Sequence, residues 1–162
     1  MNEYFAEFIG TMLLILLGNG VVANVNLNKT FGNAGGWIVI TLGWGLAVFT
    51  GVVVAGPYSG AHLNPAVTLG FSIAGLFPWG KAAFFVVSQF TGAAMGAFLV
   101  WLFYQHHFNS TQEPGSIKAC FCTGPAIRKP ANNFICEFIG TFVLIFVIFY
   151  IQGAKLEATG LS

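Results

Sequence analysis

Long apolar runs separated by short polar segments dominate the hydrophobic pattern of this chain. Four runs are long enough to cross the roughly 30 Å hydrocarbon core of a bilayer as helices. They cover residues 4–25, 36–56, 81–104 and 133–152. None of them alternates with period two, as the strands of a membrane β-barrel do. The pattern therefore predicts an all-α integral membrane protein with four transmembrane helices.

A fifth apolar run, over residues 64–75, is too short to span a bilayer. Asn64 is a favoured N-cap residue, and Pro65 suits the first helical position because its missing N–H needs no partner there. At about 1.5 Å per residue, such a helix crosses about half of the hydrocarbon core. The run therefore predicts a re-entrant half-helix between the second and third spans.

Composition supports a membrane protein and excludes several other classes. Hydrophobic residues make up 56% of the 162 positions and charged residues only 7%, against about 25% in soluble domains. The net charge of +1 indicates no nucleic-acid partner. Three cysteines are an odd number without the spacing of a disulfide framework. No basic segment precedes the first apolar run, so we expect a membrane span there and no cleaved signal peptide.

An internal repeat organises the chain. The sequence Glu-Phe-Ile-Gly-Thr at residues 7–11 recurs at residues 137–141. Three spans separate the two copies, so the second copy enters the membrane from the opposite side, as in inverted-repeat transporters. A partner of Asn64 at the same offset of 130 falls beyond Ser162. We therefore expect a first repeat at 1–105, an extramembrane loop at 106–132 and an incomplete second repeat at 133–162.

The motif at residues 59–68, Ser-Gly-Ala-His-Leu-Asn-Pro-Ala-Val-Thr, resembles the first Asn-Pro-Ala signature of the aquaporin and glycerol facilitator family, the major intrinsic proteins. The repeated Glu-Phe-Ile-Gly-Thr and the spacing of the spans agree with that family. Residues 87–89, Val-Ser-Gln, are also similar to it. The resemblance covers nearly the whole chain but only the first part of a complete member. It implies an aquaporin-like inverted repeat, truncated after the first helix of the second half.

The chemistry of the motif agrees with a pore. A helix N-terminus carries unpaired N–H groups and a partial positive charge, which repels cations. Non-helical backbone within a membrane lines a cavity or is buried in protein, and a row of carbonyl acceptors leading to an amide donor suits neutral solutes with hydroxyl groups. The alternative is a capped structural turn without a pore. The resemblance implies the following pore residues: Trp44, Val48, Gly60, Ala61, His62, Leu63, Asn64, Pro65 and Ala66.

Three ionisable residues within the membrane region have competing interpretations. His62 acts through its backbone carbonyl if the resemblance holds, with its ring as a structural contact; the alternative is a proton relay or ligand. Glu7 and Glu137 are either proton-coupling carboxylates or scaffold residues that accept N–H groups of a re-entrant loop. Their matched positions favour the scaffold role, which the family resemblance also implies.

Trp44 decides the expected substrate. The resemblance places it in the outer selectivity constriction, where glycerol facilitators have Trp and water-selective relatives have Phe. An indole offers an apolar wall to the carbon backbone of a polyol. Val48, one turn later, resembles a further wall residue, and Leu63 stands where water channels often have Phe. The alternative is that Trp44 packs against a neighbouring helix.

Other site chemistries find little support in the sequence. His106 and His107, and Cys120 and Cys122, lack a zinc-binding spacing, so we expect no metal. No nucleophile–base pair or phosphate loop indicates an enzyme, and no cofactor is expected. Basic residues in the long loop favour a cytoplasmic location for it. The resemblance instead implies a cytoplasmic N-terminus with that loop outside, and we adopt this orientation.

The sequence thus predicts a passive channel of the glycerol facilitator branch in the cell membrane. Its expected partners are glycerol or similar small polyols, the lipid bilayer and, in a complete member, three further subunits of a homotetramer; water is left open as a permeant. The alternatives are a water-selective aquaporin and a non-conducting fragment. Because the second Asn-Pro-Ala half is missing, we expect the 162-residue chain alone not to conduct. An ion channel is disfavoured by the positive helix end and the lack of a charged ring.

Overall fold

The computed structural model describes residues 1–151, which form seven α-helices. In chain order these are α1 (Glu3–Asn26), α2 (Trp37–Ser59), α3 (Pro65–Ile73), α4 (Trp79–Phe103), α5 (Gln105–Ser110), α6 (Pro114–Ala119) and α7 (Pro130–Ile151). Helices α1, α2, α4 and α7 are long and apolar enough to cross a membrane. The prediction of an all-α membrane architecture with four spans and one half-helix is confirmed. Residue 152, the predicted end of the last span, lies outside the described residues.

Helix α1 is the centre of the bundle because both α2 and α4 pack along it. Glycines let the backbones approach closely, as small residues do in membrane helices. A Cβ on Gly96 of α4 would lie only 2.6 Å from the carbonyl oxygen of Met12. A Cβ on Gly92, one turn earlier, would collide with the carbonyl oxygen of Phe8. The glycine-rich runs therefore place α4 directly against the backbone of α1.

The half-helix α3 has the local structure that its sequence predicts. Asn64 is the N-cap, and its Oδ1 accepts a hydrogen bond from the N–H of Ala66 at 2.9 Å. Pro65 occupies the first helical position, and the helix ends at Ile73 before a glycine with φ of 74°, Gly75. Nine residues give a length of about 14 Å, or half of a hydrocarbon core. The predicted range of 64–75 thus included the caps on both sides.

The polar segment after α4 is more ordered than the predicted surface loop. It contains α5 and α6, two helices of six residues each, which the prediction did not include. Their apolar side chains pack on the end of α1, where Phe108 and Cys120 share a buried cluster with Leu27 and Val100. Helices this short have no hydrophobic periodicity to reveal them, and tertiary packing stabilises them.

The chain divides into two compact units, the first comprising Met1–Gly124. The second begins at Pro125 and includes α7, whose apolar side chains are almost all exposed, as in a helix that faces lipid or another helix. The domain ranges 1–105, 106–132 and 133–162 stay a prediction.

Candidate functional site

The link between α2 and α3 is a strained, non-helical segment. Gly60 ends α2 in the left-handed region with φ of 81°, and both Ala61 and Leu63 have φ of 52°. Left-handed backbone costs a residue with a Cβ about 1–2 kcal/mol. The N–H of Ala61 donates to the hydroxyl of Ser59 at 3.0 Å, which turns the carbonyl of Gly60 away from that hydroxyl. Tertiary contacts must hold this conformation, since two of its residues disfavour it.

The carboxylate of Glu7 supplies those contacts. Its Oε1 accepts hydrogen bonds from the hydroxyl of Ser59 at 2.6 Å and from the N–H of His62 at 2.9 Å. Its Oε2 accepts from the N–H of Leu63 and from the Nε2 of Gln89, both at 2.8 Å. The side chain is completely buried. All four partners donate to it, so the four lone-pair positions of the carboxylate are all used.

Glu7 and the groups that donate to its carboxylate form an anchor for the segment. A second set of hydrogen bonds joins the half-helix α3 to this anchor. The Nε2 of Gln89 on α4 also donates to the Oγ1 of Thr68 on α3 at 2.9 Å. That hydroxyl lies 3.0 Å from the Nδ1 of His62 and 3.3 Å from the carbonyl oxygen of Asn64, to which it donates. Gln89 and Thr68 are both buried. Through Glu7 and Gln89, helices α1, α3 and α4 are therefore held in one register.

The ring of His62 is packed among aromatic side chains. It stacks on Phe71 with ring centroids 4.9 Å apart, and it contacts Phe77 at 4.7 Å and Phe85 at 5.2 Å. Only its Nδ1 contacts a polar side chain, Thr68. The ring therefore packs against side chains of α3, of α4 and of the link between them.

Carbonyl groups of the segment point away from Glu7. A trans peptide group directs its N–H and C=O in opposite directions. Because the N–H groups of His62 and Leu63 point at the carboxylate, the carbonyls of Ala61 and His62 point to the opposite side. Among the described residues, no hydrogen bond uses the carbonyl oxygens of Gly60, Ala61 or His62. These unpaired acceptors lie just before Asn64, the N-cap at the positive end of α3.

Trp44 lies elsewhere in the first unit, in the wall of a cavity of about 650 Å³ between the end of α1 and the start of α2. Its ring lies against Gly18, where a Cβ would collide with it. Trp44 therefore packs on α1 and also lines this cavity, and its place in a selectivity constriction stays a prediction. Val48, one turn further along α2, is 45% exposed and does not line this cavity.

The structure places Glu137 differently from Glu7. It is exposed on α7, where Phe134 and Phe138 lie beside it in a shallow apolar depression. The roles assigned to both glutamates, and to the pore residues as a set, stay predictions.

Ser59, Thr68 and Gln89 complete the anchor, and sequence reasoning assigned none of them a role. Each is a polar residue within or beside an otherwise apolar helix. Such residues in membrane helices usually bind one another or the backbone of a neighbouring helix. That polarity was the available signal, but it does not identify the partners.

Comparison with known proteins supports a family assignment. A family model described as major intrinsic protein matches residues 1–160. The chain is 53% identical over 149 residues to a glycerol uptake facilitator protein of Streptococcus pneumoniae, covering 92% of this chain and 64% of that protein. It is 53% identical over 162 residues to a probable glycerol uptake facilitator protein of Thermotoga maritima, covering all of this chain and 69% of that protein. The chain thus spans about two thirds of the length of these relatives.

A solved structure agrees with the sequence comparisons. The X-ray structure of the aquaglyceroporin from Plasmodium falciparum is 40% identical and superimposes with a TM-score of 0.63, covering 67% of this chain and 43% of that one. The four apolar helices and the family match together make the protein a multi-pass protein of the cell membrane. On the evidence of its sequence, its fold and these relatives, the chain belongs to the major intrinsic protein family.

Proposed function

We propose that this chain contributes the first half of a passive channel for glycerol and other small neutral solutes. The observation that supports it most directly is that Glu7 turns the unpaired carbonyls of Ala61 and His62 away from itself, immediately before the N-cap Asn64. Carbonyl oxygens accept from solute hydroxyls, and the Asn64 amide donates in return. The positive end of α3 disfavours cations at the same point.

The relatives support the same substrate class. Two of them are named as glycerol uptake facilitators, one of them as probable, and the solved structure is that of an aquaglyceroporin. Trp44 adds an apolar wall for the carbon side of a polyol. Transport is driven by the solute gradient, without covalent chemistry or a cofactor, and the assembly is a homotetramer with the long loop outside the cell.

A flux assay tests this proposal. The 162-residue chain is reconstituted in proteoliposomes, alone and joined to the part of the Thermotoga maritima relative that it does not match, and stopped-flow light scattering follows vesicle swelling in a glycerol gradient. We expect the chimera to conduct glycerol well above the lipid background. Glycerol flux of the chimera at the lipid background would contradict the proposal.

The same assay tests the substrate preference. We expect Trp44→Phe to lower the ratio of glycerol to water flux about tenfold, because a difference of about 1.4 kcal/mol in passage of the carbon backbone has that effect. Trp101→Phe is the matched control, since Trp101 is a partly exposed tryptophan on α4 that does not line the cavity. Equal ratios in the two variants would remove Trp44 from the selectivity region.

A further inference from the structure

The loop between α1 and α2, residues 27–36, folds back onto the last turn of α1. The hydroxyl of Thr30 donates to the carbonyl oxygen of Asn24 at 2.5 Å. The N–H of Ala34 donates to the carbonyl oxygen of Val25 at 3.0 Å. These bonds keep the loop level with the end of the helix, so it does not extend away from the bundle.

Contacts with α5 and the residue after it fix the start of this loop. The N–H of Asn28 donates to the Oγ1 of Thr111 at 2.9 Å, and its side-chain amide donates to the carbonyl oxygen of Ser110 at 3.4 Å. The Nδ1 of His107 lies 3.1 Å from the carbonyl oxygen of Asn28. Because Asn28 is bound through its backbone and its side chain, the next residue, Lys29, begins from a fixed point.

The lengths of the neighbouring helices place the loop at the depth of the lipid headgroups. Helices α1 and α2 have 24 and 23 residues, so each is about 35 Å long, slightly more than the roughly 30 Å hydrocarbon core. Trp37 and Tyr58, near the two ends of α2, are both exposed. Trp and Tyr are enriched at membrane–water interfaces. The loop, held level with the end of α1, therefore lies in the interfacial region.

Two side chains of the loop have no partner within the protein. Phe31 is fully exposed. Lys29 is exposed as well, and it makes no ion pair among residues 1–151. It is the only Asp, Glu, Lys or Arg between Glu7 and Lys81 in the sequence. A rigid loop therefore presents one apolar ring and one unpaired cation, two residues apart, at headgroup depth.

An anionic phospholipid matches both groups. Its phosphate carries the charge that Lys29 lacks as a partner, and the boundary between headgroups and acyl chains accepts an aromatic ring. A second copy of the chain is the other occupant that an exposed ring suggests. Lys is depleted at interfaces between proteins, so the neighbouring lysine favours the lipid.

We propose that this loop is a binding site for an anionic phospholipid, whose phosphate pairs with Lys29 while Phe31 enters the headgroup–acyl boundary. The site is separate from the segment that precedes α3, and it does not depend on which solute the protein conducts. Its effect is to attach the junction of α1 and α2 to the membrane surface.

Lipid binding to the purified 162-residue chain in detergent tests the role of the lysine. The chain is titrated with phosphatidylglycerol or with phosphatidylcholine, and native mass spectrometry counts the bound lipids. We expect Lys29→Gln to weaken phosphatidylglycerol binding about fivefold, the usual effect of one cation at an anionic surface, and to leave phosphatidylcholine binding unchanged. Lys118→Gln is the matched control, because Lys118 is an exposed lysine of the same unit on α6. Equal effects of the two substitutions would overturn the proposal.

Two substitutions of Phe31 test the role of the ring. Phe31→Ser should weaken the binding of both lipids about fivefold, because the apolar area that enters the boundary is lost. Phe31→Leu keeps an apolar side chain and should retain most of the affinity. Because Phe31 and Lys29 are exposed, all these variants should keep the Tm of the unmodified chain. Wild-type affinity in Phe31→Ser would remove the ring from the site.

The same measurement separates the lipid from other occupants. Inorganic phosphate in large molar excess should not displace phosphatidylglycerol, because it makes no contact with Phe31. Displacement by phosphate would make the loop a general anion site and overturn its assignment to a lipid. The spectra also give the number of chains in each particle. If Phe31→Ser converted dimers to monomers and left phosphatidylglycerol binding unchanged, a second copy would occupy the loop and the proposal would fail.

Discussion

Substitution of Glu7 by Gln is the sharpest test of the anchor. The carboxylate accepts from four donors, and glutamine keeps only one acceptor oxygen. In the most favourable orientation of the glutamine side chain, its amide oxygen takes the place of Oε2 and keeps the hydrogen bonds from the N–H of Leu63 and the Nε2 of Gln89. The amide NH₂ then faces the N–H of His62 and the hydroxyl of Ser59, of which only the hydroxyl can turn and accept. At least one buried N–H is left without a partner.

The size of the destabilisation follows from the hydrogen bonds that Glu7→Gln loses. Hydrogen bonds to a charged group contribute about 1.5–3 kcal/mol each, and a buried donor without an acceptor costs about 1–3 kcal/mol. We expect Glu7→Gln to lower the free energy of unfolding by about 3 kcal/mol, which corresponds to a Tm decrease of roughly 6–12 °C in a chain of this size.

Thermal unfolding of the 162-residue chain in detergent, followed by circular dichroism, measures the effect. Glu3→Gln is the matched control, because Glu3 makes an ion pair with Lys81 at 3.0 Å on a partly exposed surface. Such an exposed pair contributes little to stability, because water screens both charges. If both variants unfold at the same temperature, the carboxylate does not hold the segment and the reasoning fails.

Three further changes have defined outcomes. Gly10→Ala should lower the free energy of unfolding by about 1–3 kcal/mol, because its Cβ would lie 2.6 Å from the side chain of Leu63. Gly45→Ala is the control: open space surrounds Gly45, so this variant should be neutral or stabilising. Equal Tm values of the two variants would contradict this expectation. Asn64→Ala removes the N-cap hydrogen bond and should lower the free energy of unfolding by about 1 kcal/mol. Asn64→Asp keeps the cap, so it should keep the stability but lower glycerol flux through the chimera. Matching Tm values of the two variants would argue against the cap. Burial raises the pKa of the Cys120 thiol to about 11, so its contribution to stability is complete below pH 9 and decreases as the pH rises from 9 to 11. Cys120→Ser should remove that decrease, and an identical pH dependence of urea unfolding in the two proteins would refute it.

Local signals predicted most of the helical framework. The four spans follow from length and hydrophobicity, and the start of α3 follows from a capping Asn and a Pro in sequence. Each of these features depends on interactions within a few residues. The observed bounds differ from the predicted ones by at most three residues within the described part of the chain.

The left-handed conformations of Ala61 and Leu63 could not be predicted in this way. Neither residue type favours positive φ, so local propensity indicates a different backbone. The conformation results from hydrogen bonds to Glu7, which lies more than fifty positions earlier in the sequence. The loop helices α5 and α6 also depend on contacts distant in sequence, because packing against the end of α1 stabilises them.

In the segment that precedes α3, the N–H groups on one side and the carbonyl groups on the other belong to the same rigid peptide groups. The peptide groups whose N–H atoms bind Glu7 are the ones whose carbonyls, those of Ala61 and His62, point to the opposite side. A change on the scaffold side therefore rotates the acceptors on the other side by the same angle. Gln89 donates to Oε2 of Glu7 and to Oγ1 of Thr68, and is therefore coupled to these carbonyls through the carboxylate. In the proposed channel, these buried polar residues would therefore influence selectivity without lining the pathway.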